Sequence, residues 1–295
     1  SLEQARAGGA RVAVVYSPLA ALEAARAEPA RQVVFVAVGF ETTAPAIAAM
    51  LRRAREERLA NLSVLPLCKL IPPALRVLLA GPAVAQSSGL RRKPEACATA
   101  VAQSSGLRRK PEACATKIDG LLLPGHVSVV LGARPYEFIP REFGVPCVIT
   151  GFEPVDILQG LWMLLRQMSA ARPAVEIAYR RAVAAEGNPA ARALLDEVFV
   201  ACAAEWRAVG VIPDSGLALR PPYEGFDAAR RFPVEVPVPA PVAGCLCGEI
   251  LTGRAQPRDC RLLGKLCTPE TPAGPCMVSS EGACAAAYQY GVPDA

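Results

Sequence analysis

Six of the eleven cysteines crowd into the last fifth of the chain: Cys245, Cys247, Cys260, Cys267, Cys276 and Cys284. From Cys260 to Cys284 the thiols are separated by six, eight and seven residues, and every interval contains Gly or Pro. Such residues let a backbone wrap where helix or strand could not, so four soft thiolates on these loops can close round one inorganic centre. Three chemistries compete for them. A disulfide framework suits a secreted chain, but the count is odd and the first 28 residues hold no apolar core behind a basic start. Structural zinc favours paired C-x₂₋₄-C knuckles; none occurs, and Cys245-Leu-Cys247 is tighter than a knuckle. An iron–sulfur cluster accepts four thiolates from irregular spacings and leads the three.

His126 is the only histidine, in a Pro-Gly-rich loop where it can hydrogen-bond, contact a metal or move a proton. A His-rich metal site is thereby excluded, and a Ser-His-Asp triad would have to pass through His126. Neither a G-x-S-x-G elbow nor a Walker-type phosphate loop is present. Cys68 beside Lys69 reads either as a thiol of lowered pKa or as a small buried hydrophobe. Cys147 and Cys202 lie inside apolar runs and are expected in the core.

The elements that must position these groups alternate strand and helix. RVAVVY (Arg11–Tyr16) and QVVFVAV (Gln32–Val38) read as strands, the second as a buried parallel one. Ser63–Leu67, Gly120–Leu123 and Val145–Thr150 follow in the same character. Helices are expected over Leu19–Ala27, Ala46–Leu59 and Val155–Met168, and another after Pro72-Pro73; Thr42 or Thr43 can cap the second, with Pro45 in its first turn. Two junctions share one pattern: apolar run, Gly-Phe-Glu, proline, helix, at Gly39–Pro45 and Gly151–Pro154. A glycine at a strand's carboxyl end permits a close turn, and a carboxylate there faces the crevice where open α/β sheets take ligands. Glu41 and Glu153 are the carboxylates, and the repetition points to two related α/β halves.

At 295 residues, 52% apolar and 20% charged, the chain can bury a substantial core and is not disordered. The net charge of +5 is spread out; its densest spots, two copies of LRRKPE, lack interleaved aromatics, so no nucleic-acid partner is expected. No apolar run is long enough to span a membrane. AVAQSSGLRRKPEACAT at Ala83–Thr99 recurs unchanged at Ala100–Thr116. Two copies do not make a repeat architecture, so the segment reads as a tandem duplication in a surface loop, where extra length costs little.

Several long motifs resemble the HypD family of hydrogenase maturation factors: GFETTAP (Gly39–Pro45), LCKLIPPAL (Leu67–Leu75), KIDGLLLPGHVSVVLG (Lys117–Gly132), FGVPCVITGFEPVDILQG (Phe143–Gly160), CGEILTG (Cys247–Gly253) and CRLLGKLCTPETPAGPCMVSSEGACAAAYQYG (Cys260–Gly291). The resemblance implies a cytoplasmic scaffold with redox participation rather than a turnover enzyme. On it the Fe(CN)₂CO unit of [NiFe]-hydrogenase is assembled, with a HypC-type chaperone and a HypE-type cyanide donor as partners. It further implies two related Rossmann-like α/β domains and a Cys-rich, loop-rich C-terminal region holding a [4Fe-4S] cluster. Cys260, Cys267, Cys276 and Cys284 are then the expected ligands, with Cys245 and Cys247 spare or as substitutes. Glu41, His126 and Glu153 would line the central cleft near the transient iron fragment.

The family also carries Cys-Gly-Thr-His and Gly-Pro-Gly-Cys-Pro-Val-Cys segments, absent here, so an N-terminally truncated chain with an incomplete first domain and impaired scaffold chemistry is expected. The expected division is 1–30 as a remnant of the first α/β domain and 31–150 as the second, with 83–116 the duplicated loop. Residues 151–240 form a helical return completing the first domain, and 241–295 the iron–sulfur region. The competing reading is a zinc- or disulfide-stapled interaction domain on an α/β body without a redox role.

Overall fold

The computed structural model describes residues 2–81, 118–207, 209–235 and 242–291. The duplicated segment 83–116, with Cys97 and Cys114, lies outside the described residues. The chain opens with α1 (Leu2–Ala7) and α2 (Pro18–Ala27), the latter capped by the Ser17 hydroxyl, which accepts the Leu19 N–H at 3.2 Å.

Strands β1 (Val33–Ala37) and β2 (Leu62–Pro66) pair in parallel, from Val33 opposite Leu62 to Ala37 opposite Pro66. Their crossover is α3 (Ala44–Glu56), whose Ala44, Ile47, Ala48, Met50, Leu51 and Ala54 recur at helical spacing and are buried. Helix α4 (Ile71–Ala80) then leaves this core: Ile71, Leu75 and Leu79 pack into the next one.

That second core surrounds a parallel sheet of order β3-β4-β5, built from Leu121–Pro124, Cys147–Thr150 and Val175–Ile177. Short helix α5 (Gly125–Leu131) follows β3 directly, and α6 (Pro154–Ser169) follows β4. Leu123, Tyr136, Ile139, Cys147, Ile149 and Val183 fill one side of the sheet, and Val148, Met163 and Leu164 the other.

The chain returns to the first core through α7 (Pro189–Val198) and an antiparallel hairpin, β6 (Phe199–Trp206) with β7 (Gly210–Leu219). Val198, Phe199, Leu217, Leu219 and Tyr223 pack there against α2 and α3. Helix α8 (Ala228–Arg231) ends the return, and Arg231 reaches back to the Leu62 carbonyl at 2.9 Å. The last core belongs to α9 (Cys247–Leu251), α10 (Pro275–Val278) and α11 (Ala283–Tyr290) and is made largely of sulfur.

The α/β class and the separate Cys-rich region agree with the sequence reading. Three details differ. Arg11–Tyr16 forms no strand; Val14, Val15 and Tyr16 stand exposed, because a β-prone run needs a neighbour to accept its ladder and none of the described strands lies beside it. Thr43 holds the N-cap position of α3, but its hydroxyl donates to the Phe40 carbonyl at 3.0 Å instead of capping. Within 151–240, expected as a helical return, the hairpin occupies 199–219; the small residues of FVACAAEW give little alternation to read. Among the described residues, no helix is long and apolar enough to cross a membrane.

Candidate functional site

Cys247 opens α9 and Cys276 lies in α10, and their sulfurs are bonded as a disulfide with the Cα atoms 6.2 Å apart. The Cys276 N–H also donates to the Cys247 sulfur at 3.4 Å. Gly274 makes the approach possible: a Cβ there would lie 2.7 Å from the Cys245 sulfur and 3.0 Å from the Cys247 Cβ. Cys245, Cys260, Cys267 and Cys284 remain free thiols, the last three buried. Burial pushes the Cys284 thiol up to about 11, and the neighbouring Cys260, Cys267 and Cys245 thiols push in the same direction. The other three thiols therefore lie close enough to Cys284 to act on it, and all four pack in one core.

The loop between Cys260 and Cys267 is folded by Gly264, at φ +70°, whose N–H donates to the Cys267 carbonyl at 3.1 Å. The Cys267 sulfur accepts the Ala273 N–H at 3.3 Å. Among the described residues, no three His, Cys, Asp or Glu side chains converge closely enough to hold a single metal ion. A four-iron cube makes a different demand, since each thiolate binds its own iron and the set surrounds the cluster instead of meeting at a point. Four free thiols packed in one core supply that donor type.

A second constellation stands at the carboxyl ends of β3 and β4. His126 sits in the first turn of α5, exposed, its ring centre 4.6 Å from that of Phe152 and 6.4 Å from that of Tyr179. Asp156, buried in the first turn of α6, receives both arms of the Arg181 guanidinium at 2.6 Å, and Arg181 also lies 3.5 Å from the exposed Glu153. The guanidinium further covers the Tyr179 ring at 4.4 Å. Its hydrogen bonds hold the Asp156 carboxyl below the usual carboxylate range, and the carboxylate in turn raises the Arg181 pKa. Both glycines of the two loops are required by space. A Cβ on Gly125 would fall 2.4 Å from the Thr150 carbonyl oxygen, and one on Gly151 2.0 Å from Asp156 Oδ2.

Glu41 lies in the turn between β1 and α3, beside the other sheet, and is 1% exposed. Its Oε1 accepts the Ile71 N–H at 2.8 Å, while Oε2 is buried without a hydrogen-bond partner. Burial pushes this carboxyl up to about 7 against the pull of its backbone hydrogen bonds. Cys68 lies nearby, buried, donating to the Ala37 carbonyl at 3.4 Å; burial raises its thiol pKa and the Glu41 charge adds to the effect. Cys68 is thus the small buried hydrophobe of the two readings. Cys147 is fully buried, its thiol pushed up to about 12, and Cys202 is partly exposed on β6.

The sequence model of the HypD family, described as the hydrogenase formation hypA family, matches residues 1–93 and 94–291, with the break inside the duplicated segment. The chain belongs to the HypD family. Among curated HypD relatives it is 43% identical over 293 residues to the hydrogenase maturation factor HypD of Cupriavidus necator, covering 99% of this chain and 70% of that protein. It is 42% identical to the HypD of Escherichia coli, with 98% and 69% covered. The hydrogenase expression/formation protein HupD of Azotobacter chroococcum is 43% identical, with 99% and 70% covered.

Within this HypD-family chain, the structure brings His126 and Glu153 to one sheet edge. Glu41 stands at the end of a different sheet, turned inward, and no hydrogen bond or ion pair among the described residues joins it to either. Of the thiols singled out, Cys260, Cys267 and Cys284 are free together with Cys245, while Cys276 is taken by Cys247. Asp156, Arg181 and Tyr179 escaped the sequence reading. The available signal was an acid in the first turn of a helix directly after a Gly-Phe-Glu junction, where an unpaired carboxylate pointing at the core needs a cation.

Proposed function

We propose that this HypD-family chain, a hydrogenase maturation protein, holds a [4Fe-4S] cluster on Cys245, Cys260, Cys267 and Cys284. The single observation behind the reading is that these four free thiols pack together in one core. In oxidised protein the Cys247–Cys276 disulfide ties α9 to α10, and neither cysteine belongs to the proposed ligand set. The Ala273 N–H fixes the orientation of the Cys267 sulfur.

When bound, the cluster supplies one-electron chemistry at a potential set by hydrogen bonds to its sulfurs and by solvent exposure. The chain's remaining contribution is a scaffold for the Fe(CN)₂CO unit, with His126 and Glu153 as accessible groups at the β3–β4 edge. The His126 ring, exposed beside Phe152 and Tyr179, offers hydrogen-bonding nitrogens there. Glu153 offers a carboxylate whose approach is steered by Arg181. A HypC-type chaperone and a HypE-type cyanide donor are the partners in this reading, and the cytoplasm the compartment.

Iron and acid-labile sulfide on anaerobically prepared or reconstituted protein test it. Four of each per chain are expected, lost in Cys245→Ala and retained in Cys276→Ala. The opposite pattern would return Cys276 to the ligand set in place of Cys245. Zinc, or no metal at all, would sink the cluster reading and leave the thiols a structural staple.

A further inference from the structure

Among the described residues, two buried side-chain oxygens lack the partners that interior polar atoms need: Glu41 Oε2 and Tyr136 Oη. Both residues are closed to solvent. They belong to different halves of the α/β body. Glu41 lies in the turn between β1 and α3, beside the first core, whereas Tyr136 ends the single helical turn Arg134–Tyr136 in the second.

Helix α4 brings the two halves together at this point. Its N-cap residue, Leu70, offers no capping side chain, and the Ile71 N–H has no partner within the helix. Glu41 Oε1 supplies that partner at 2.8 Å. The same Ile71 packs against the core that holds Tyr136. Burial pushes the Tyr136 phenol up to about 12, and the Glu41 charge adds to the effect, so the carboxyl and the phenol feel one another through the interior. Ser128, buried on α5, stands beside the phenol and pulls the other way. Its hydroxyl donates to the Pro124 carbonyl at 2.8 Å, and no hydrogen bond closes on Tyr136 Oη.

The chemistry of the two oxygens narrows what can satisfy them. A cation suits the carboxylate but leaves the Tyr136 proton without an acceptor. Protonating Oε2 only turns an unpaired acceptor into an unpaired donor. A water molecule serves both oxygens in either state. It accepts from the phenol and donates to a carboxylate, or turns to accept from a carboxyl.

We propose that one buried water bridges Glu41 Oε2 and Tyr136 Oη and forms a polar joint between the two α/β cores, with Ser128 Oγ as a further acceptor. The inference stands apart from the cluster reading, since none of these residues belongs to the Cys-rich region.

A high-resolution crystal structure of the full chain, with urea unfolding of Tyr136→Phe beside wild type, tests it. One water within hydrogen-bonding distance of both oxygens is expected in the wild type. Tyr136→Phe should lower the folding equilibrium constant roughly 5-fold, the usual weight of one hydrogen bond. A hydroxyl buried without a partner behaves in the opposite sense: deleting it relieves a desolvation penalty, and the variant is as stable as wild type or more so. That result would overturn the proposal. So would a wild-type structure in which no water touches both oxygens, including one where Glu41 and Tyr136 bond directly or share a cation. If Tyr136→Phe does not fold, the wild-type structure decides alone.

Discussion

Asp156 and Arg181, 25 residues apart, meet through two hydrogen bonds of 2.6 Å each. The pair ties the first turn of α6 to the segment leaving β5, and so holds the Gly151–Glu153 loop beside His126. Bidentate geometry of this kind is directional, and lysine cannot reproduce the fork.

Asp156→Asn is therefore expected to lower the melting temperature at pH 7, and Arg181→Lys to lower it as well. The folded-state pKa of Asp156 is depressed, so its stabilising effect is present at neutral pH and is lost as pH falls below the ordinary carboxylate range. Thermal melts at pH 7 and pH 3 should show the gap between wild type and Asp156→Asn closing in acid. A gap of equal size at both values would refute the pairing as its cause.

Glu41 predicts the reverse pH dependence. Its folded-state pKa is raised to about 7, so the folded chain binds the extra proton and stability falls as pH rises from the ordinary carboxylate value through 7. Glu41→Gln keeps an acceptor for the Ile71 N–H and carries no charge to bury. At pH 8 it should be more stable than wild type by on the order of 2–3 kcal/mol, and near parity at pH 4. Urea titrations across that interval measure the difference.

Two glycines should refuse a methyl group and a third accept one. Gly125→Ala meets the Thr150 carbonyl and Gly151→Ala the Asp156 carboxylate, and each is expected to cost about 1–3 kcal/mol. At Gly225 an added Cβ meets nothing within 4 Å, so Gly225→Ala should be close to neutral. Chemical denaturation of the three variants checks the ranking.

Non-reducing peptide mapping of metal-free protein should recover Cys247 and Cys276 in one cross-linked product, with Cys245, Cys260, Cys267 and Cys284 alkylated. Cys276→Ser should lose about 2–4 kcal/mol, the usual contribution of a bridge closing a loop of this length. A different pairing among the six would change which thiols are available to a cluster.

Much of this chain could be read before folding was considered. The apolar runs at 33–37, 62–66 and 147–150 became parallel strands because β-branched and aliphatic residues bounded by Gly and Pro have few other ways to bury themselves. The two Gly-Phe-Glu junctions, the lone His126 and the crowded cysteines were likewise visible as residue types at given intervals.

What the order of residues does not contain is which groups meet. Cys247 and Cys276 are 29 positions apart and find each other only because Gly274 leaves room and α9 packs on α10. That contact, and no feature of spacing, leaves Cys245 with Cys260, Cys267 and Cys284 as the free set. Glu41 and Glu153 share a motif yet end in opposite environments, one inside without a partner for Oε2, the other in solvent beside Arg181. Local sequence determined the elements and their turns, because those depend on neighbours along the chain. Tertiary structure decided pairing, burial and pKa, because they depend on neighbours through space that linear spacing does not encode.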